Sequence, residues 1–166
     1  MDKSKKVIKE LIPYVVIIIV VLLVKQYVFS TISVDGNSME TTLYNNDFMI
    51  LDKISVKFNK INRFDIVVIK QPKERLIKRV IGLPGEVIEY KDNRLYINGK
   101  EIKDNYGSNK TDDFGPIKLN DNQYYVLGDN RKISADSRYF GPFSKDQILG
   151  KANLVLFPFN RFGFKS

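Results

Sequence analysis

A long apolar run near the N-terminus constrains this chain more than any other feature of its sequence. From residue 11 to residue 29 almost every side chain is apolar, Ile and Val are frequent, and Lys25 is the only charged residue. A helix of that length spans about 28 Å, close to the ~30 Å hydrocarbon core of a bilayer. The sequence therefore predicts a transmembrane anchor over residues 11–29, preceded by a short segment, residues 1–10.

The charges before this run predict its orientation. Four lysines precede it, namely Lys3, Lys5, Lys6 and Lys9, whereas only two acidic residues do. Positive residues favour the cytoplasmic side, so we expect the N-terminus in the cytoplasm and the remainder outside a cell membrane that the chain crosses once. A cleavable signal peptide has the same beginning, but it ends in an Ala-x-Ala-like site. The nearest small-x-small triplet is Thr31-Ile32-Ser33, a poor match, so we favour an uncleaved anchor.

After the anchor, the pattern changes to short runs rich in Val, Ile, Tyr and Phe, separated by Gly, Asn and Asp. Such runs are typical of strands, and Asn98-Gly99 is typical of a tight hairpin turn. We predict a mainly β fold: an antiparallel β domain over residues 30–166, with a small β insertion around residues 86–122, preceded by one transmembrane helix. The predicted strands are 48–51, 65–69, 79–81, 87–90, 94–97, 100–102, 123–127 and 154–157.

Two segments between the strands have other patterns. Residues 106–122 are polar and contain several Gly, Asn and Asp residues, so they predict a long surface loop. Residues 144–149 predict one short helical turn with Ser144 as its cap.

Composition excludes several classes of protein. The chain has no Cys and no His, which rules out disulfides and zinc fingers. Its net charge of +8 is spread along the chain and is interrupted by acids and aromatics. We therefore expect contact with membrane lipid and no nucleic acid. No calcium-loop, phosphate-loop or dinucleotide motif is present, and we expect no metal and no cofactor.

Without His or Cys, a covalent mechanism needs another nucleophile and another base. Ser38 lies in a turn-like segment, residues 35–43, and the best candidate for its base is Lys78. Strand alternation directs Lys78 to the same face as Leu76 and Val80, where its ammonium is poorly solvated. Burial lowers a lysine pKa, and a fall from about 10.4 to about 8 corresponds to about 3.3 kcal/mol.

A third polar segment, residues 128–141, follows an apolar strand and is dense in Asp, Asn, Ser and Arg. An ion pair of Arg138 with either Asp136 or Asp129 would fix such a loop. The hydroxyl of Ser134 or of Ser137 would then be free to orient an amine.

Together, the segment that contains Ser38, the segment that contains Lys78 and residues 128–141 resemble the bacterial type I signal peptidases. These are serine–lysine enzymes that remove signal peptides from exported proteins. The similarity covers nearly the whole chain, and the arrangement is similar to the single-anchor form of Gram-positive bacteria. Three motifs carry it, in this order: Gly36-Asn37-Ser38-Met39, then residues 78–85 (Lys-Arg-Val-Ile-Gly-Leu-Pro-Gly), then residues 128–138 (Gly-Asp-Asn-Arg-x-x-Ser-x-Asp-Ser-Arg).

The resemblance implies a role for each matching residue. Ser38 would be the nucleophile of a serine endopeptidase and Lys78 its general base. Ser134 would hold the lysine amine, Asp136 and Arg138 would form a structural ion pair, and Asp129 would support them. The substrates would be signal peptides of exported preproteins, cut after small-x-small sites. Their small side chains would enter shallow pockets lined by Ile32, Val34, Met39, Leu43 and Ile77.

Several positions depart from the family pattern. Thr41 replaces a usual proline after the nucleophile, Phe64 replaces a usual glycine, and Glu86 replaces a usual aspartate. Gly36 stands where some relatives have a serine that helps to bind the oxyanion, so the Ser38 amide needs a different partner there.

Three other functions compete with this interpretation. Penicillin-binding and β-lactamase-type enzymes need a Ser-x-x-Lys motif, and no serine here has a lysine three residues later. A membrane-anchored β domain that only binds partners, and a peptidase dedicated to one exported protein, remain as alternatives.

Overall fold

The computed structural model describes residues 3–165, with side chains from residue 9 onward. The predicted cytoplasmic segment begins with residues 1–2, which lie outside this range. Helix α1 runs from Lys3–Tyr27, and its part Lys9–Tyr27 is long and apolar enough to cross a membrane. The helix ends at Tyr27, two residues before the predicted end of the anchor at Phe29, which begins strand β1 (Phe29–Ser33). The β-branched residues Thr31 and Ile32 favour pairing with a neighbouring strand over continued helix.

The remainder is mainly antiparallel β structure, as the sequence predicts. The larger sheet has eight strands in the order β1-β2-β11-β3-β4-β9-β10, with β12 paired to β11. Two short helices accompany it: α2 contacts β11, and α3 contacts β9. The bounds of these elements are β1 Phe29–Ser33, β2 Phe48–Asp52, α2 Ile54–Lys57, β3 Ile66–Lys70, β4 Arg75–Gly82, β9 Gln123–Leu127, α3 Ser137–Phe140, β10 Phe143–Ser144, β11 Ile148–Phe157 and β12 Gly163–Phe164.

Three further predicted elements differ from the structure by more than one residue in their bounds. β4 begins four residues before the predicted strand, and β11 begins six residues before it. The predicted turn over residues 144–149 is a single 3-10 turn, Lys145–Gln147, and residues 148–149 belong to β11. β11 is long because it contacts β2 on one side and β3 on the other.

A second, four-stranded sheet has the order β7-β6-β5-β8. Its strands are β5 Val87–Lys91, β6 Arg94–Ile97, β7 Lys100–Ile102 and β8 Phe114–Lys118. Asp92-Asn93 and Asn98-Gly99 form the two tight hairpin turns of this sheet. All four residues have positive φ, as the two-residue turns that suit hairpins require.

The prediction of one continuous surface loop over residues 106–122 is wrong, because β8 lies within it and pairs with β5. Phe114 and Ile117 pack against a buried cluster that also contains Leu119. The strand was not predicted because its neighbours are polar and only Phe114 and Ile117 within it are partly buried.

Strand alternation in β4 brings the second motif between two parts of the core. Leu76 and Val80 belong to one buried cluster, whereas Ile77 belongs to another that includes Met39. Lys78 lies opposite Val67 of β3, deep in the sheet. A strand with buried side chains on both faces holds its backbone rigidly, and this rigidity fixes the position of Lys78.

Gly82 provides a test of how tightly the two sheets pack. A Cβ atom there would lie 2.8 Å from Ile88 Cγ2, 2.8 Å from Leu119 Cδ1 and 3.1 Å from Tyr125 Cβ. We expect Gly82→Val to destabilise the fold by roughly 1–3 kcal/mol through overpacking. Thermal unfolding of the full chain in detergent should show a midpoint lower by several degrees. Thr31→Val, at an exposed position of β1, is the control and should leave the midpoint almost unchanged.

Candidate active site

Ser38 lies in a turn that follows β1 and is fixed from both ends. Val34 before Ser38 and Met39 and Leu43 after it are buried, and the amide of Leu43 donates to the carbonyl of Met39 at 2.9 Å. The carbonyl of Ser38 accepts a hydrogen bond from the amide of Asn130 at 3.0 Å. The apolar anchors and the contact with a distant loop therefore hold the hydroxyl of Ser38 at the edge of the core.

The amine of Lys78 lies 2.7 Å from Ser38 Oγ and 3.1 Å from the carbonyl oxygen of Ile77. Only 3% of Lys78 is exposed. Burial lowers the pKa of its amine from 10.5 to about 8, against the opposing influence of Asp136, Glu74 and Asp129. A substantial fraction of the amine is therefore neutral near pH 8 and able to accept a proton from the serine hydroxyl.

Arg79, the next residue of β4, forms a fully buried ion pair with Asp129. Nε donates to Asp129 Oδ1 at 2.8 Å, and Nη2 donates to Asp129 Oδ2 at 2.7 Å. Asp129 Oδ2 also accepts from Thr42 Oγ1 at 2.5 Å. The ring of Tyr106 stacks on the guanidinium, with Cζ 3.8 Å from the ring centre. This pair joins the strand of Lys78 to the third motif and to the turn of Ser38.

The two alternatives for Arg138 are resolved by the contacts of its guanidinium. Arg138 pairs with Asp136, with Nε–Oδ1 and Nη2–Oδ2 distances of 2.9 and 2.8 Å, and Asp129 pairs with Arg79. Asp136 Oδ2 also accepts from the amide of Gly128 at 3.0 Å. Its carboxylate thus closes the loop of residues 128–138 on itself.

Ser134 lies beside the nucleophile segment and forms no hydrogen bond with the lysine amine. No hydrogen bond joins Ser134 Oγ to Lys78, and this buried oxygen has no partner among the described residues. A Cβ at Gly128 would clash with Ser134 Oγ and would lie 2.5 Å from the carbonyl oxygen of Ser38. Gly128 therefore packs against both the Ser134 hydroxyl and the Ser38 carbonyl, and a larger residue does not fit there.

A cleft of about 270 Å³ contains both Ser38 and Lys78. Of the five predicted pocket residues, Val34, Met39 and Ile77 line it. Leu43 and Ile32 do not line it: Leu43 is fully buried in the core, and Ile32 packs against the same core cluster. Those two side chains support the cleft wall from behind.

Sequence reasoning missed several residues of the site. Glu74, Arg75, Ile133 and Ala135 also line the cleft, and nothing in their local pattern distinguishes them from surface residues. Arg79 could have been found, because alternation places it on a buried face with Ile77, where an arginine needs an acidic partner.

Comparisons with known proteins identify relatives of this chain. A family model described as signal peptidase, peptidase S26, matches residues 6–157. Signal peptidase I S of Bacillus subtilis is 38% identical over 96% of this chain and 94% of its own length. Signal peptidase I V of the same species is 42% identical over 82% of this chain and 90% of its own. The crystal structure of a signal peptidase I from Enterococcus faecalis, 37% identical, aligns with a TM-score of 0.50 and covers 55% of this chain and 95% of that chain.

The lowered pKa of Lys78 predicts how stability depends on pH. Below about pH 8 the folded state holds a buried charge, and between pH 8 and 10.5 the unfolded state binds more protons than the folded state. The destabilisation, on the order of 3 kcal/mol, is therefore full below pH 8 and is relieved as pH rises to 10.5. We expect Lys78→Met to raise the thermal midpoint at pH 7. Its advantage over the unsubstituted chain should shrink as pH increases, and a constant advantage would contradict this origin.

Proposed function

Because this chain belongs to the signal peptidase family, peptidase S26, we propose that Ser38 is the nucleophile and Lys78 the general base of its peptidase activity. The activity itself is the removal of signal peptides by a membrane-anchored serine peptidase. The observation that carries the assignment is the 2.7 Å contact between Lys78 Nζ and Ser38 Oγ in a buried setting.

The proposed reaction begins when neutral Lys78 accepts the hydroxyl proton of Ser38. The serine oxygen attacks the scissile carbonyl, and the lysine ammonium then protonates the departing amine. Lys78 next takes a proton from water, which attacks the acyl-enzyme carbonyl. The bond to Ser38 Oγ then breaks, the lysine ammonium returns the proton to that oxygen, and the signal peptide leaves with a new carboxylate. The amide of Ser38 has no acceptor among the described residues and is a suitable donor to the oxyanion.

We assign supporting roles to four residues of the third motif. Ser134 is proposed to hold the lysine amine. Its buried Oγ has no hydrogen-bond partner among the described residues, and a rotation of the side chain that brought it to the amine would provide one. Asp136 and Arg138 keep the loop closed. Asp129 acts through Arg79, which fixes the backbone of β4 next to the base.

Specificity for small side chains is proposed to arise at the apolar wall of the cleft, which Val34, Met39 and Ile77 form. Ile32 and Leu43 hold that wall in position.

The proposed placement has the N-terminus in the cytoplasm and residues 30–166 outside, with the second sheet as an insertion. Ser38 follows the helix end at Tyr27 so closely that it lies at most roughly 40 Å away. Substrates are held in the same membrane by their own apolar segments, which raises their effective concentration. Four phenylalanines near the C-terminus are 54–83% exposed and suit contact with lipid: Phe157, Phe159, Phe162 and Phe164.

Substitution of either member of the dyad tests the assignment. We expect Ser38→Ala and Lys78→Met each to reduce preprotein processing by at least about 10³-fold, because removal of a nucleophile or its base removes the covalent route. Cleavage of a purified preprotein by the full chain in detergent is the measurement. Ser33→Ala and Lys70→Met, both at exposed positions, are the matched controls. Processing by Ser38→Ala at the level of Ser33→Ala would exclude the dyad.

The pH dependence of kcat/KM tests the base separately. Only neutral Lys78 accepts a proton, so the rate should rise about tenfold per pH unit below its pKa and level off above about pH 8. Glu74 raises that pKa, so Glu74→Gln should move the midpoint of the profile to lower pH at low salt. Glu101→Gln, on exposed β7, is the control. An acid optimum would argue against lysine as the base.

A further inference from the structure

A cavity of about 760 Å³ lies where α1 meets the β domain. One part of its wall is the apolar surface of α1, formed by Ile19, Leu22 and Leu23. The other part carries three cationic side chains, Lys25, Lys53 and Arg75. We propose that this cavity binds one anionic phospholipid, with its phosphate at the three cations and an acyl chain along α1.

The charge of the cavity wall favours an anion. Its three cations come from three separate parts of the fold: the last turn of α1, the residue between β2 and α2, and the first residue of β4. No carboxylate of the described residues lines the cavity. Asp52, next to Lys53, is engaged by the amide of Ile54 and the hydroxyl of Ser55, and Glu74 lines the catalytic cleft instead.

Lys53 prepares the site by neutralising the end of the helix. Its Nζ donates to the carbonyls of Lys25 at 3.1 Å and Gln26 at 3.0 Å, which leaves one of its three ammonium hydrogens available. The partial negative charge at a helix C-terminus would otherwise repel a phosphate. Among residues 9–165, Lys25 and Arg75 form no salt bridge, so both charges are available to a ligand.

The depth of the cavity matches the place of a lipid in the bilayer. Lys25 lies two residues before the end of the candidate membrane span, where a lysine reaches the head-group level. Leu22 and Leu23 lie one turn or less deeper, at the level of the acyl chains, and both are exposed. Lipid binding at this cavity depends on the proposed membrane placement of α1 but not on the Ser38–Lys78 chemistry.

A bound lipid would connect the anchor to the catalytic strand. Arg75 lines this cavity and also the cleft that holds Lys78, three residues later on β4. The phosphate would therefore bridge α1 and β4 at the entrance to the cleft.

Lipid retention by the full chain tests the proposal without reference to peptidase activity. The protein in detergent is mixed with phosphatidylglycerol or with phosphatidylcholine of the same acyl chains, and retained lipid is counted by native mass spectrometry. The test variant is Lys25→Gln/Arg75→Gln, at two exposed positions. The matched control is Lys57→Gln/Lys70→Gln, which removes the same charge at exposed positions outside the cavity.

We expect the unsubstituted chain and the control to retain one phosphatidylglycerol in preference to phosphatidylcholine. The test variant should bind phosphatidylglycerol at least about tenfold more weakly, with phosphatidylcholine unchanged. Equal retention of both lipids by the unsubstituted chain overturns the proposal, and this comparison needs no variant to fold. Equal loss in both double variants, or loss in neither, also overturns it.

Discussion

The buried ion pair between Arg79 and Asp129 is the interaction on which the remainder of the site depends. Removing one partner of such a pair typically costs 3–5 kcal/mol, because the other charge is left buried without compensation. Here both partners are fully satisfied: Phe64 and Thr42 provide further oxygens for the guanidinium. The pair therefore locks the base strand, the nucleophile turn and the loop after β9 into one unit.

Two adjacent cations of β4 consequently behave in opposite ways. Arg79 is paired with a carboxylate at hydrogen-bond distance. Lys78 is similarly buried but is hydrogen-bonded only to a hydroxyl and a carbonyl, and burial lowers its pKa to about 8. The same strand thus provides a cation in a structural ion pair and, next to it, the proposed general base.

Much of this arrangement could be predicted from the sequence, and the missing parts share a cause. Alternation within β4 predicted burial around Lys78, and the three motifs predicted that Ser38 and Lys78 would act together. The partner of Arg79 lies fifty positions away, and no local pattern specifies it. The strand β8 was missed for the same reason, because its pairing with β5 decides its conformation more than its own polar composition does. A tertiary contact also accounts for one departure from the family pattern, Phe64. Phe64 has a φ of 70°, a region that suits glycine, and its ring packs against Tyr106 at 5.0 Å, which offsets part of that strain.

The junction between α1 and β1 has a consequence for how a cut site is chosen. Only Val28 separates the two elements, and its carbonyl accepts a hydrogen bond from the backbone amide of Lys53 at 3.0 Å. The anchor and β1 are therefore joined by a single residue. In the proposed membrane placement, this short connection would keep Ser38 at a nearly constant height above the bilayer. A substrate would then have to span that height between its own apolar segment and the scissile bond.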